Sequence, residues 1–227
     1  MHLRLLHHPL DPHSRLARLV LLEKNMAHDL VYAEPWAEVE SLGELNPAGT
    51  LPILLAGDLA EKHVVCPASV IIEYLDEISP TPSMLGTTTA QRLETRRLIS
   101  WFCEKFYAEV THALWYEKAY KKLAGLGGPD SHKIRTGYAA LTDHMSYLSW
   151  LLERRNWLAG DDFSAADLAA AAQLSVMDYS GDVTWSHFDD VRAWYSRIKS
   201  RPTFRPLLAD RVPGLPPAAH YANLDFE

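Results

Sequence analysis

The sequence predicts two unlike halves in one chain, a small mixed α/β sheet domain followed by an all-helical domain. Three observations carry this reading. Over the first eighty residues, short apolar runs alternate with helical patterns. Ser79-Pro-Thr-Pro82 then sets two prolines two positions apart, which favours an extended connection. Beyond it, apolar residues recur only at three- and four-residue steps. The expected boundaries are 1–80 for the sheet domain, 81–88 for the linker, 89–212 for the helical domain and 213–227 for an extended tail.

The elements follow in order. Leu3 and Leu5 alternate with polar neighbours as a strand does, and Pro12 breaks the chain before Ser14, where a helix can begin. Leu16, Leu19 and Val20 give that helix an apolar face. Residues 29–33 read as a second strand and Leu51-Pro-Ile-Leu-Leu55 as a third, with Pro52 at its entrance, where a strand tolerates proline. Gly57-Asp58 turns the chain into a fourth strand at 64–66, and Val70, Ile71, Tyr74, Leu75 and Ile78 mark a helix over 69–78. In the second half, Ile99, Phe102, Phe106, Val110 and Leu114 outline one long helix, and Ile134 to Leu152 a second. A third starts at Ser164 and a fourth covers 189–200. Trp101, Trp115, Trp150 and Trp157 lie on or beside these helices and read as packing residues, since aromatics bury large areas.

Composition excludes several function classes. A formal charge of -7 argues against nucleic acid, whose partners carry a basic patch. No run of eighteen apolar residues is present, so no membrane insertion is expected, and charged and histidine residues interrupt the opening segment where a signal peptide would be apolar. Cys66 and Cys103 have neither CxxC nor metal-ligand spacing, so no metal is expected, and two reduced thiols suit a cytoplasmic protein.

Four motifs stand in a telling order: Asp11-Pro-His-Ser-Arg15, Thr50-Leu-Pro-Ile53, Val65-Cys-Pro-Ala-Ser-Val-Ile-Ile-Glu-Tyr-Leu-Asp-Glu77, and Trp157-Leu-Ala-Gly160 with Phe163-Ser-Ala-Ala-Asp167. The last has a structural explanation. Ser164 can cap a helix while Asp167 reaches back to the Ser164 N–H, a capping box contributing about 1 kcal/mol. Together the motifs resemble the glutathione transferase superfamily over nearly the whole chain. The resemblance implies a thioredoxin-like N-terminal domain plus an all-α C-terminal domain. It also implies a cis Pro52 and a Leu51 whose backbone is presented to glutathione.

Two of the motifs depart from the family pattern. Pro67 and Ala68 stand where the resemblance places a Glu and a Ser that hold the γ-glutamyl carboxylate at a helix N-terminus. Hydrogen bonds to charged groups contribute about 1.5–3 kcal/mol each, so losing two weakens binding by roughly a hundred-fold or more. Ser69 could substitute only by a shift of one residue. Asp11 occupies the position where many bacterial members carry Ser or Cys. A carboxylate about 4 Å from the glutathione thiol disfavours its thiolate by roughly 1–4 kcal/mol. The alternative is a glutathione-dependent transferase or isomerase in which Ser14 or His13 takes over; otherwise Ser14 simply caps the first helix.

A disabled site on an intact scaffold points to binding, because function belongs to sites rather than folds. Trp36, Trp115, Tyr116, Glu117 and Tyr120 are candidates to line an interdomain cleft, Trp and Tyr being enriched at interface hot spots. Simple cleft packing for Trp36, and a solvated helix face for Tyr116 and Glu117, are the competing readings. The tail after Pro217 carries Tyr221, Leu224, Asp225 and Phe226. Such termini are most often mobile, and docking onto the helical domain or presentation as an acidic-aromatic strip are the other outcomes. The Asp11–Arg15 start, the Cys66-Pro-Ala68 replacement and the Tyr221–Phe226 ending are similar to a group of bacterial cell-division factors within the superfamily. That similarity implies no cofactor and a non-catalytic homodimer at the division site. It would bind the tubulin-like protein FtsZ and curve or bundle its filaments.

Overall fold

The computed structural model describes residues 2–58 and 61–224. The first half is a four-stranded sheet of order β2-β1-β3-β4, built from β1 (Leu3–His7), β2 (Asp29–Tyr32), β3 (Ile53–Asp58) and β4 (Glu61–Val65). β1 and β2 run parallel with Leu5 opposite Leu30, so the chain must cross over through α1 (Pro12–Glu23). β3 returns antiparallel to β1, and β4 pairs antiparallel with β3. α2 (Val39–Leu45) is an element that the apolar pattern did not announce, since Leu42 is its one buried residue. Its Leu42 packs on one sheet face, against Leu6, Ile53 and Leu55. α3 (Ala68–Ile78) and α1 cover the other.

α1 starts earlier than the sequence suggests. Asp11, not Ser14, is its cap: Oδ2 accepts from the Ser14 N–H at 2.6 Å, and Pro12 fills the first turn, where its missing N–H costs nothing. The helix ends in a Schellman turn, with Asn25 left-handed at φ 51° and the Met26 N–H bonded to the Leu21 carbonyl.

The second half is helical. One continuous helix comprises α4 (Thr89–Ser100), a π-wound segment (Trp101–Tyr120) and α5 (Lys121–Leu123). Thr88 and Gln91 close a capping box at its start. α6 (Ser131–Leu152) packs along the π segment, and α7 (Ala165–Tyr179) is buried on every side. α8 (Asp189–Lys199) and the short α9 (Arg205–Leu208) complete the domain. The capping box of α7 is present as expected, and Asp167 does more than cap. Its Oδ1 also accepts from the Leu158 N–H at 2.9 Å and from Trp194 Nε1 at 3.0 Å.

The two halves share one core, because the alanines of α7 let α1 approach closely. Polar ties on α1 reinforce that contact. Arg18 donates twice to Asp210 at 2.8 and 3.0 Å, and Arg201 twice to Glu23 at 2.6 and 2.7 Å. The linker is fastened rather than merely extended. Met84 and Leu85 are buried, Met84 bonds Asp76 and Ala165, and Lys24 Nζ donates to the Ser79 and Pro82 carbonyls.

The tail is docked, contrary to the mobile terminus expected for a proline-rich end. The Ala218 N–H bonds the Tyr179 carbonyl at 2.8 Å, and Lys199 holds the Asn223 carbonyl at 2.8 Å. Tyr221 is wholly buried against Tyr179, which overcomes the entropy of ordering the strip. Leu224 ends the described chain and is exposed, while Asp225 and Phe226 lie outside the described residues.

Candidate functional site

A cavity of about 460 Å3 opens between the sheet domain and the π segment. Its floor comes from the start of α1, one side from the residues before β3 and the start of α3, and the opposite side from the π segment. Asp11, Leu51, Pro67 and Ala68 all line it, so the four departures and contacts inferred from the motifs do meet in one place. The Leu51–Pro52 peptide bond is cis, as expected.

The α3 end of the cavity carries one side-chain donor, Ser69. Pro67 is the residue before the helix, has no N–H and makes no side-chain cap. Ala68 is buried in the first turn, and Ser69 supplies the one hydroxyl there, exposed and on the lining. At the α1 end, burial raises the Asp11 carboxyl above its ordinary value, partly countered by His13 and the Ser14 N–H. His13 Nδ1 lies 3.9 Å from Asp11 Oδ1, while its Nε2 donates across the floor to the Cys103 carbonyl at 2.9 Å.

Ser14 is not placed for catalysis. It is fully buried, its Oγ faces the His8 N–H at 3.4 Å, and it does not line the cavity. Cys103 offers no substitute, since burial, with Glu104 and Asp11 adding, pushes its thiol up to about 12.

Aromatic rings form the far wall. His112 stacks on Tyr116 at 4.6 Å between centroids, Tyr116 on Tyr120 at 5.1 Å, and Tyr120 meets the Trp36 edge at 5.1 Å and 89°. Tyr107 extends the row toward His13, 4.6 Å away. Trp36, Tyr116 and Tyr120 therefore lie where the sequence placed them. Trp115 also lines the cavity, yet it is mostly buried and its indole N–H donates to the Leu10 carbonyl, pinning the two domains together.

Glu117 is a correction. It does not line the cavity; it is buried, bound by Lys121, by Lys133 at 3.2 Å and by the Asp130 N–H at 2.9 Å. Hydrogen bonding from Lys121 and Asp130 pulls its carboxyl down to about 2. The group joins the end of the π segment to the start of α6, a consequence of standing one residue beyond Tyr116 on a helix.

Sequence reasoning missed Tyr107, His112, Glu104 and His8 on the lining. The first three follow the buried series Phe102, Phe106 and Val110 by one or two positions, and that offset was the available signal. His8 sits behind Trp36 and Trp115; its Nδ1 accepts from the Leu10 N–H at 3.2 Å, and burial lowers its pKa to about 4.

Comparison with known proteins agrees with this architecture. Family models of the glutathione S-transferase N-terminal domain and C-terminal domain match residues 5–83 and 126–202. FtsZ-localized protein A of Caulobacter vibrioides is 46% identical over 224 residues, covering 98% of each chain. The structure of FzlA from C. crescentus superposes with a TM-score of 0.95 at 45% identity, covering 99% of this chain and 100% of that one. A structure described as a glutathione S-transferase from Rhodospirillum rubrum F11 gives 0.94 at 44% identity over 98% and 99%. A mixed four-stranded sheet, a helical second half and a cavity between them, matched by both family models, place this chain in the glutathione S-transferase family.

Proposed function

We propose that this chain is a non-catalytic adaptor of bacterial cell division that binds FtsZ and curves or bundles its filaments at the constriction site. The observation that carries this reading is Asp11, a carboxylate at the head of α1 facing a cavity where glutathione chemistry needs a neutral donor. Pro67 and Ala68 add a weakened carboxylate site at the opposite end. The high identity to FtsZ-localized protein A over almost the full length supports the division role. The acting form in this reading is a cytoplasmic homodimer, the sheet domain of one subunit packing on the helical domain of the other. Val64 on β4, Val70 on α3 and Leu93 on α4 are exposed apolar residues that such packing would cover.

Co-sedimentation tests the proposal. The protein is expected in the pellet with FtsZ polymers at micromolar concentrations, and no excess over a polymer-free control ends it. A glutathione titration by calorimetry is expected to show weak or no binding.

The competing reading is a glutathione-dependent transferase, favoured by the Ser69 hydroxyl at the N-terminus of α3 and by the retained Pro52. Its proposed nucleophile-activating residue, Ser14, is out of reach of the cavity. Turnover with glutathione that survives Ser14→Ala would require a backbone donor instead.

A further inference from the structure

We propose that the interdomain cavity is a guanidinium site, taking an arginine side chain presented by the partner protein in place of the anionic tripeptide. The inference rests on the adaptor reading above and gives the chemistry of its contact.

The lining has an unusual charge balance. Among the described residues it contains the carboxylates of Asp11 and Glu104 and neither Lys nor Arg. Histidines do not offset this at the wall, because burial lowers the pKa of both His8 and His112 and keeps them neutral. The nearest basic group to Asp11 is His13, whose Nδ1 at 3.9 Å is beyond hydrogen-bond length. Burial is the main cause of the raised pKa of Cys103 and of Tyr107, and Asp11 adds to both, with Glu104 adding to the first. Two groups on the π segment, Cys103 and Tyr107, thus both sense the Asp11 carboxylate.

The walls suit a flat cation. His112, Tyr116 and Tyr120 form one stacked row that Trp36 meets edge-on, and the row already takes a cation from outside the lining, Lys121 Nζ lying 5.8 Å from the centre of the Tyr116 ring. A guanidinium is planar, is more weakly hydrated than an ammonium, and stacks on aromatic faces, whereas an ammonium is a strongly hydrated point charge. A volume of about 460 Å3 holds an extended side chain with its flanking backbone, and it lies within the usual range for ligand cavities. An anion entering the same space meets carboxylates of its own sign in a partly desolvated cavity, where repulsion is strong.

Two measurements decide the matter. In the first, emission from the protein, with Trp36 and Trp115 on the lining, is followed during titration with N-acetyl-arginine amide and with the neutral N-acetyl-citrulline amide. The arginine compound is expected to bind at least ten-fold more tightly, and Asp11→Asn is expected to remove at least five-fold of that preference. Asn caps helices as well as Asp, so the variant keeps α1 intact while losing the charge. In the second, the same two compounds compete against FtsZ pelleting, and only the arginine compound is expected to release the protein. Equal behaviour of arginine and citrulline, or an Asp11→Asn protein indistinguishable from wild type in both assays, overturns the proposal while leaving the adaptor reading intact. If wild-type protein never pellets with FtsZ, the adaptor reading fails, and the emission titration still decides whether the cavity prefers a guanidinium.

Discussion

The Arg15 guanidinium on α1 donates to the Tyr221 hydroxyl 3.0 Å away, a bond joining residues 206 positions apart. Arg15 is fully buried and also donates to Ser175 on α7 at 2.8 Å and to the Pro9 carbonyl at 2.6 Å. The Tyr221 hydroxyl in turn donates to the Leu207 carbonyl at 3.0 Å. The first helix of the sheet domain, the central helix of the second domain and the tail are therefore fastened at one point. Tyr221→Phe is expected to lower stability by about 1.5–3 kcal/mol, the contribution of a hydrogen bond with a charged partner. Tyr221→Ala is expected to cost about 3 kcal/mol or more, because it adds a cavity. Urea unfolding of the two variants checks both, and a Tyr221→Ala protein as stable as wild type would show the tail to be idle.

Asp167 gives a signed pH dependence. Burial raises its carboxyl to about 6 from an ordinary 3.8. The folded protein binds this proton more tightly than the unfolded chain does, so the group's stabilising contribution is complete below about pH 4 and is lost as pH rises through about 6. The stability of wild type relative to Asp167→Asn should accordingly fall between pH 4 and pH 7, at no more than about 1.4 kcal/mol per pH unit. Chemical denaturation of both proteins across that range measures the difference; a constant gap contradicts it. Asp167→Ala should cost about 3 kcal/mol or more at any pH, since it strands the N–H groups of Leu158, Ser164 and Trp194.

Gly137 lies where α6 crosses the π segment. A Cβ built there would come within 2.8 Å of the Ala113 Cβ and 3.0 Å of Leu114. Helix propensity alone predicts that Gly137→Ala stabilises by about 1 kcal/mol. Overpacking, at about 1–3 kcal/mol, outweighs it. The expected result is a net loss of about 1 kcal/mol in urea, and a gain would show that the two helices can separate freely.

Trp36 and Glu117 should separate binding from folding. Trp36→Ala is expected to weaken FtsZ pelleting by about 2 kcal/mol, the scale of an interface anchor, with an unchanged melting temperature, since Trp36 is only half-buried. Glu117→Gln is expected to do the reverse, lowering the melting temperature through its lost pairing with Lys121 and Lys133 while pelleting persists. Loss of pelleting in a folded Glu117→Gln protein would restore that residue to the contact surface.

Ala68→Ser supplies a hydroxyl in the first turn of α3. One regained hydrogen bond to a carboxylate contributes about 1.5 kcal/mol, roughly ten-fold in glutathione affinity. Calorimetry on wild type and variant compares them directly. FtsZ pelleting should not change, because the substitution adds one uncharged oxygen to the lining and leaves Asp11 and the aromatic wall as they are.

The sequence by itself determined the fold class, the order of the elements apart from α2, the capping box at Ser164 and Asp167, and the departures at Asp11, Pro67 and Ala68. Those are properties of residue type and local spacing, which no distant contact can alter. It also announced the buried face of the long helix, since Phe102, Phe106, Val110 and Leu114 are apolar and can hardly face water. Tertiary structure alone decided the rest. Tyr107 and His112 carried no sequence signal of their own, because a polar aromatic suits water or a cavity equally well until the opposing domain is placed. Glu117 looked like a neighbour of Tyr116 on the same surface, and only the winding of the helix and the approach of α6 turned it inward. Ser14 lost its catalytic prospect to a cap that begins three residues earlier, and the tail was ordered by a buried arginine more than two hundred residues away.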